Sequence, residues 1–158
     1  MILQTGTPAP DFELTWKIGS PAVRRAAYQD GQPLVLLFFP LAFSSVCTTE
    51  ICGVAEDWSS WTDLDVRVVA ISVDSPFVLA RFAEETGAEF PLLSDFNKTV
   101  AEAYGVLNRD YFGMDGVADR AAFIIDGDGM IRYAWTDRDD SVLPDFDRIR
   151  SEVEQLRV

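Results

Sequence analysis

Leu34-Val35-Leu36-Leu37-Phe38-Phe39-Pro40-Leu41-Ala42-Phe43-Ser44-Ser45-Val46-Cys47-Thr48-Thr49-Glu50 is the stretch on which the fold turns. The run Leu34–Phe39 holds no polar residue and is bounded by Pro33 and Pro40. A strand with one wet face alternates apolar and polar residues, so an unbroken apolar run reads as a strand covered on both faces. After Pro40 and a short loop, Val46–Leu64 reads as a helix. Cys47 then falls in its first turn, where unpaired N–H groups and the helix dipole favour an anion, the form in which a thiol is nucleophilic. Ser44, three residues earlier, can present a hydroxyl to the same small pocket.

Outward from this segment the chain alternates. Val66–Val73 reads as a second central strand. Asp74-Ser75-Pro76 reads as a helix start, with capping residues and an early proline, and that helix stops at Gly87. Pro91–Ser94 leads to a short helix around Lys98–Tyr104. Ala121–Asp126 and Met130–Trp135 flank Gly127-Asp128-Gly129, a hairpin signal. Leu143–Leu156 is an amphipathic helix. Towards the N-terminus, Asp11–Leu14 is a short strand and Ala22–Tyr28 a turn or a second one. Strand–helix–strand–helix, then hairpin and helix, predicts an α/β chain with a central mixed β-sheet flanked by helices, in the order of a thioredoxin-like fold. With no repeats and no low-complexity linker, residues 1–158 read as one domain.

Composition narrows the chemistry. The chain has no histidine and two cysteines. Histidine-based nucleophile activation, histidine acid–base pairs and histidine-ligated haem are therefore excluded. Two thiols do not complete a zinc site, so neither metal nor other cofactor is expected. An activated thiol must be tuned by Arg, Lys, backbone N–H groups or a helix terminus. The formal charge of −13 argues against nucleic acid and anionic membranes. No apolar run is long enough for a membrane helix, and Met1–Pro10 lacks the charged and apolar regions of a signal peptide, so a cytoplasmic protein is expected. Lys17 and Lys98 are the only lysines and Asp outnumbers Glu. A lysine-poor acidic surface fits a salt-adapted protein, or simply an acidic cytosolic one.

Pro40-x-x-x-Ser44-x-x-Cys47 resembles the peroxiredoxin signature of proline, then Thr or Ser, then the peroxidatic cysteine. Pro8-Ala9-Pro10-Asp11-Phe12, Phe90-Pro91-Leu92-Leu93-Ser94-Asp95 and Arg120-Ala121-Ala122-Phe123-Ile124-Ile125-Asp126 are similar to segments found in the same order in that family. Phe39-Pro40-Leu41-Ala42-Phe43 is similar to the alkyl hydroperoxide reductase E group. Cys47-x-x-x-x-Cys52 is similar instead to the Q-type, or bacterioferritin-comigratory, group.

The resemblance implies a thiol-dependent peroxidase acting on hydrogen peroxide and organic hydroperoxides. Cys47 would be the peroxidatic thiolate, Ser44 a donor to peroxide and sulfur, Pro40 a shield against water, and Arg120 the group that stabilises thiolate and peroxide. Glu50 resembles the family's arginine-orienting glutamate, and reads equally as a first-turn acid favoured by the dipole. Cys52 would resolve the sulfenic acid, or an external thiol would do so. The reductant would be thioredoxin, a glutaredoxin-like protein or a low-molecular-weight thiol, and a homodimer is an open expectation. A peroxide-sensing redox protein and a thiol–disulfide oxidoreductase on the same fold are the alternatives, the latter weakened by Cys-x4-Cys in place of Cys-x-x-Cys. Asp126-Gly127-Asp128-Gly129 reads as a turn rather than half a calcium loop. Asp137–Asp140 reads as a solvated acidic loop, Asn97-Lys98-Thr99 as a sequon without consequence, and Trp58 and Trp61 as packing.

The acidic composition makes one prediction directly. Self-repulsion among like charges weakens as salt screens them, so the melting temperature should climb as potassium chloride rises from about 0.1 M, where the screening length is about 10 Å, into the molar range. A melting temperature indifferent to salt over that range would leave only the reading of an ordinary acidic protein.

Overall fold

Residues 1–156 are described by the structure, a computed structural model. An antiparallel ribbon of β1 (Glu13–Leu14) and β2 (Val23–Arg24) runs into α1 (Arg25–Gln29). The central elements follow as β3 (Leu34–Phe38), α2 (Ser45–Glu56), α3 (Trp58–Thr62), β4 (Arg67–Ser72) and α4 (Pro76–Thr86). Next come β5 (Leu92–Ser94), α5 (Thr99–Ala103) and a small ribbon of β6 (Leu107–Asn108) with β7 (Val117–Ala118). The hairpin β8 (Arg120–Ile125) and β9 (Ile131–Asp137) precedes α6 (Phe146–Gln155).

One five-stranded mixed sheet, in the order β5-β4-β3-β8-β9, organises these elements. β3 pairs parallel with β4 and antiparallel with β8. Side chains alternate across a strand. Val35, Leu37 and Phe39 therefore join α2, α4 and α6 in one apolar cluster, and Leu34, Leu36 and Phe38 join α5 and the N-terminal segment in the other. Every residue of β3 is fully buried, as expected for an unbroken apolar run at the centre of a doubly covered sheet.

The β6–β7 ribbon has no counterpart in the sequence reading, and three of the elements it predicts differ. Val46–Leu64 is not one helix: the chain leaves helical geometry at Asp57 (φ −105°, ψ 27°) and restarts as α3. The break turns Trp61 into the core and lays Trp58 against Phe90, with ring centroids 5.2 Å apart. Pro91–Ser94 is not merely a lead-in, since Leu92–Ser94 pairs in parallel with β4. Three residues carry too little periodicity to reveal a strand whose partner is distant in sequence. Ala22–Tyr28 divides into β2 and α1, held by Arg25, which donates to the carbonyls of Ala9 and Pro10 and to the Gln29 side chain.

The other boundaries fall within a few residues of expectation. Ser75 caps α4 by accepting from Val78 N–H at 3.2 Å, and Gly87 ends it in the left-handed region. The β8–β9 turn is stabilised by the Asp126 carboxylate, which accepts from the N–H groups of Asp128 and Met130. Gly129 has φ +85°, which suits glycine.

For the site, the consequence of this topology lies at one end of the sheet. With Phe38 opposite Ala121 in the antiparallel β3–β8 pair, the chain leaves β3 towards Pro40 beside the point where β8 begins at Arg120. Phe123, Phe38 and Tyr104 lock that register from below, with centroids 5.3–5.9 Å apart. Phe123→Ala should cost about 3–5 kcal/mol in urea unfolding, through lost burial and an unfilled cavity. A cost below about 1 kcal/mol would mean that this cluster does not hold the register.

Candidate active site

The loop after β3 is tied down before the helix begins. Asp74, two residues past β4, accepts from Ala42 N–H at 2.8 Å and from the Ser72 hydroxyl at 2.7 Å through the same carboxylate oxygen. The parallel β3–β4 pairing sets both strand ends side by side, so a side chain beyond β4 can reach the loop beyond β3. Pro40 is buried under this loop. Phe43 takes a left-handed conformation (φ +69°), unusual for a bulky side chain, and lays its ring 5.1 Å from Phe82.

Ser44 is the N-cap of α2, and its hydroxyl accepts from Cys47 N–H at 3.4 Å. Cys47, third residue of the helix, is fully buried. Cys47, Glu50, Ile51 and Val54 form the buried stripe of α2, spaced as a helix face requires. Glu50 lies in the second turn, which removes the reading of a first-turn dipole acid. Cys52 falls off the stripe and is half-buried, and both thiols are free.

Arg120 meets this helix from the start of β8. Its side chain is fully buried, with Nη1 donating to Glu50 Oε1 at 2.7 Å and Nη2 donating to Cys47 Sγ at 3.3 Å. Nη2 also donates to the backbone carbonyl of Asp140 at 3.0 Å. Arg120 Nε and Glu50 Oε2 are buried without a hydrogen-bond partner among the described residues. The guanidinium thus links one carboxylate, one sulfur and one carbonyl in a dry pocket, where charge interactions are strong.

The titration of this pair follows from that dryness. Burial pushes the Glu50 carboxyl up to about 7, against the opposing pull of the Arg120 charge and hydrogen bond. Loss of water wins because one Glu50 oxygen has no donor to replace it. Burial works to lower the Arg120 guanidinium, but Glu50 and Cys47 outweigh it and the net direction is up, so Arg120 stays charged.

Of the residues the sequence singles out for chemistry, Ser44, Cys47, Glu50 and Arg120 come together here, with Pro40 buried in the preceding loop, while Cys52 lies off the buried stripe of α2. Asp74 and Asp140 were missed. Asp74 has the spacing of a helix cap, a role Ser75 takes, and Asp140 acts through a backbone carbonyl that any residue could offer.

Comparison with known proteins identifies the family. The family model described as AhpC/TSA matches residues 5–134. The chain belongs to the AhpC/TSA family. It is a peroxiredoxin, a thiol-dependent peroxidase on a thioredoxin-like fold. A Synechocystis sp. protein named as a peroxiredoxin is 41% identical over 142 residues, covering 84% of this chain and 68% of its own. Alkyl hydroperoxide reductase E of Mycobacterium tuberculosis is 36% identical over 135 residues, covering 84% and 85%. The crystal structure of peroxidoxin BcpB from Mycobacterium tuberculosis superposes with a TM-score of 0.85 at 28% identity, over 99% of both chains. Among the described residues no group of side chains is arranged to hold a metal ion, and no helix is long and apolar enough to cross a membrane.

A peroxiredoxin with this buried pair should show it in its stability. Between the ordinary carboxylate value of 4.5 and about 7, folded Glu50 keeps a proton that the unfolded chain has released. The folded state then binds more protons, so stability from this group is present at low pH and falls as pH rises through that window. In a Cys47→Ser background, the stability of the Glu50 protein minus that of Glu50→Gln should decrease from pH 4.5 to about 7 in urea titrations at fixed ionic strength. A difference that grows over that range would show that Arg120 keeps Glu50 ionised throughout.

Proposed function

We propose that Cys47 is the peroxidatic thiolate of this peroxiredoxin, that Arg120 is the cation that holds it, and that the substrates are hydrogen peroxide and organic hydroperoxides. The observation that carries the reading is the 3.3 Å hydrogen bond from Arg120 Nη2 to Cys47 Sγ in a fully buried pocket. A guanidinium stabilises the anion without being able to take its proton, which suits a chain that has no histidine. The position of Cys47 in the first turn of α2 adds the helix dipole, which favours an anion there.

In the reaction the sulfur attacks one peroxide oxygen in line with the O–O bond. An S–O bond forms as the O–O bond breaks, and its electron pair leaves on the distal oxygen, which departs as water or alcohol after taking a proton. Sulfur is oxidised to sulfenic acid. Donors aimed at the leaving oxygen lower this barrier, and Arg120 and Ser44 are the side chains assigned that role in this reading. Pro40 keeps water from the sulfur, and Glu50 holds the far side of the guanidinium. A hollow of about 200 Å³ lined by Ser45, Val46, Thr49, Ser141 and Leu143 opens beside the same helix turns.

Recycling follows one of two routes. Cys52 condenses with the sulfenic acid and releases water, or an external thiol does so, and a thioredoxin, a glutaredoxin-like protein or a small thiol then reduces the disulfide. Five residues along a helix rise about 7.5 Å and rotate about 140°, leaving Cα atoms roughly 8–9 Å apart. Disulfides rarely span more than about 7 Å, so the internal route requires the start of α2 to unwind. Glu50 lies between the two cysteines, and unwinding would pull it from Arg120. Breaking such a buried pair costs on the order of 3–5 kcal/mol, which favours the external thiol unless oxidation of Cys47 first loosens the pocket.

Cys47→Ser should abolish peroxide consumption, and Arg120→Met should leave a folded enzyme slowed by tens to a thousandfold, with a smaller thiolate absorbance at neutral pH. Near-normal turnover in Cys47→Ser would sink the assignment. One equivalent of peroxide distinguishes the recycling routes: a Cys47–Cys52 linked peptide and a monomer lighter by two hydrogens mark the internal one, and a persistent sulfenic acid on Cys47 marks the external one.

A further inference from the structure

The excursion between β6 and β7 brings a second polar chain to Arg120. Asn108, the last residue of β6, donates its side-chain amide to Asp119 Oδ1 at 2.9 Å, immediately before Arg120. Its carbonyl accepts from Gly116 N–H, and its side-chain oxygen from Asp110 N–H. From this anchored base Tyr111 and Met114 exchange backbone hydrogen bonds, both at 2.9 Å, and form a tight turn. Tyr111 Oη then donates to Asp140 Oδ2 at 2.5 Å. Asp140 is the residue whose carbonyl accepts from Arg120 Nη2 at 3.0 Å.

The consequence concerns which oxygen of Asp140 meets the guanidinium. Arg120 bonds to the backbone carbonyl, a neutral acceptor, while Tyr111 holds the carboxylate through Oδ2, and Arg120 and that carboxylate form no ion pair among the described residues. A carboxylate freed beside a guanidinium forms a charge-assisted bond far stronger than one to a carbonyl, and would draw Nη2 from the sulfur. Tyr111 also feels the site. Burial, the Asp140 hydrogen bond and charge, and the Cys47 charge push its phenol up to about 12, with Arg120 opposing.

We propose that Tyr111 is a positioning residue for the peroxidase reaction: by holding the Asp140 carboxylate it presents only the Asp140 carbonyl to Arg120 and keeps the guanidinium on Cys47. This rests on the reading of Cys47 and Arg120 as the reacting pair. It gives the loop 109–116 a task that composition does not suggest, since Phe112 at its tip is largely exposed while Tyr111 is half-buried.

The test compares wild type, Tyr111→Phe, Asp140→Ala and the double variant in stopped-flow oxidation by hydrogen peroxide. Tyr111→Phe frees the carboxylate and should lower the second-order rate constant about tenfold, shifting the acid limb of its pH profile upward. Asp140→Ala keeps the carbonyl and removes the competing carboxylate, so the double variant should recover most of the rate lost in Tyr111→Phe. A merely structural tyrosine would not give that recovery. Equal rates and pH profiles for Tyr111→Phe and wild type, or a double variant as slow as Tyr111→Phe, would overturn the proposal while leaving the Cys47–Arg120 assignment intact. Turnover surviving in Cys47→Ser would remove that assignment, and the proposal with it.

Discussion

A single guanidinium, fully buried at the start of β8, must be balanced by negative charge, and the site is arranged around that requirement. Removing an arginine from water is costly unless its donors are paired. Glu50 supplies a carboxylate that is itself uncomfortable, with one oxygen unsatisfied and its carboxyl pushed up to about 7. An acid held so loosely in its charged form leaves the cation short of compensation. Cys47 Sγ, 3.3 Å from Nη2, is the other partner of the guanidinium, and the thiolate proposed there would supply the remaining charge in a chain without histidine.

The topology makes this balance possible with short loops. Parallel β3 and β4 end together, so Asp74 can fasten the loop that leads to α2. Antiparallel β3 and β8 put the beginning of one strand beside the end of the other, so Arg120 arrives without a dedicated loop. The helix cap at Ser44 and the apolar stripe of α2 then fix which turn faces the guanidinium. Each of these is an ordinary device of sheet and helix. Their intersection at one sheet end is what brings the guanidinium to one sulfur.

How much of this was legible in the sequence depended on sequence distance. Cys47 and Ser44 stood out because strand, loop, cap and helix are contiguous. Arg120, 73 residues from Cys47, could be assigned only through resemblance to a family, since an arginine before a strand ordinarily reads as a surface ion pair. Glu50 was ambiguous until the helix start at Ser45 placed it in the second turn. Asp74 carried the wrong signal, that of a cap. Asp140 looked like part of a solvated acidic run, and its backbone carbonyl leaves no trace in composition. β5, β6 and β7 were too short for periodicity to register, whereas β3, α4 and the β8–β9 hairpin were marked by prolines, caps and glycines.

The central claim is that the buried cysteine, not the more accessible one, is the reactive thiol, because charge balance outweighs access. The most direct measurement is the site of first oxidation: reduced protein is mixed with one equivalent of hydrogen peroxide, quenched at successive millisecond times with a sulfenic-acid trap, and mapped by peptide mass spectrometry. The trapped adduct should appear first on Cys47, faster by orders of magnitude than any modification of Cys52, and this advantage should vanish in Arg120→Met. Adduct forming first on Cys52, or at equal rates on both thiols, would contradict the account.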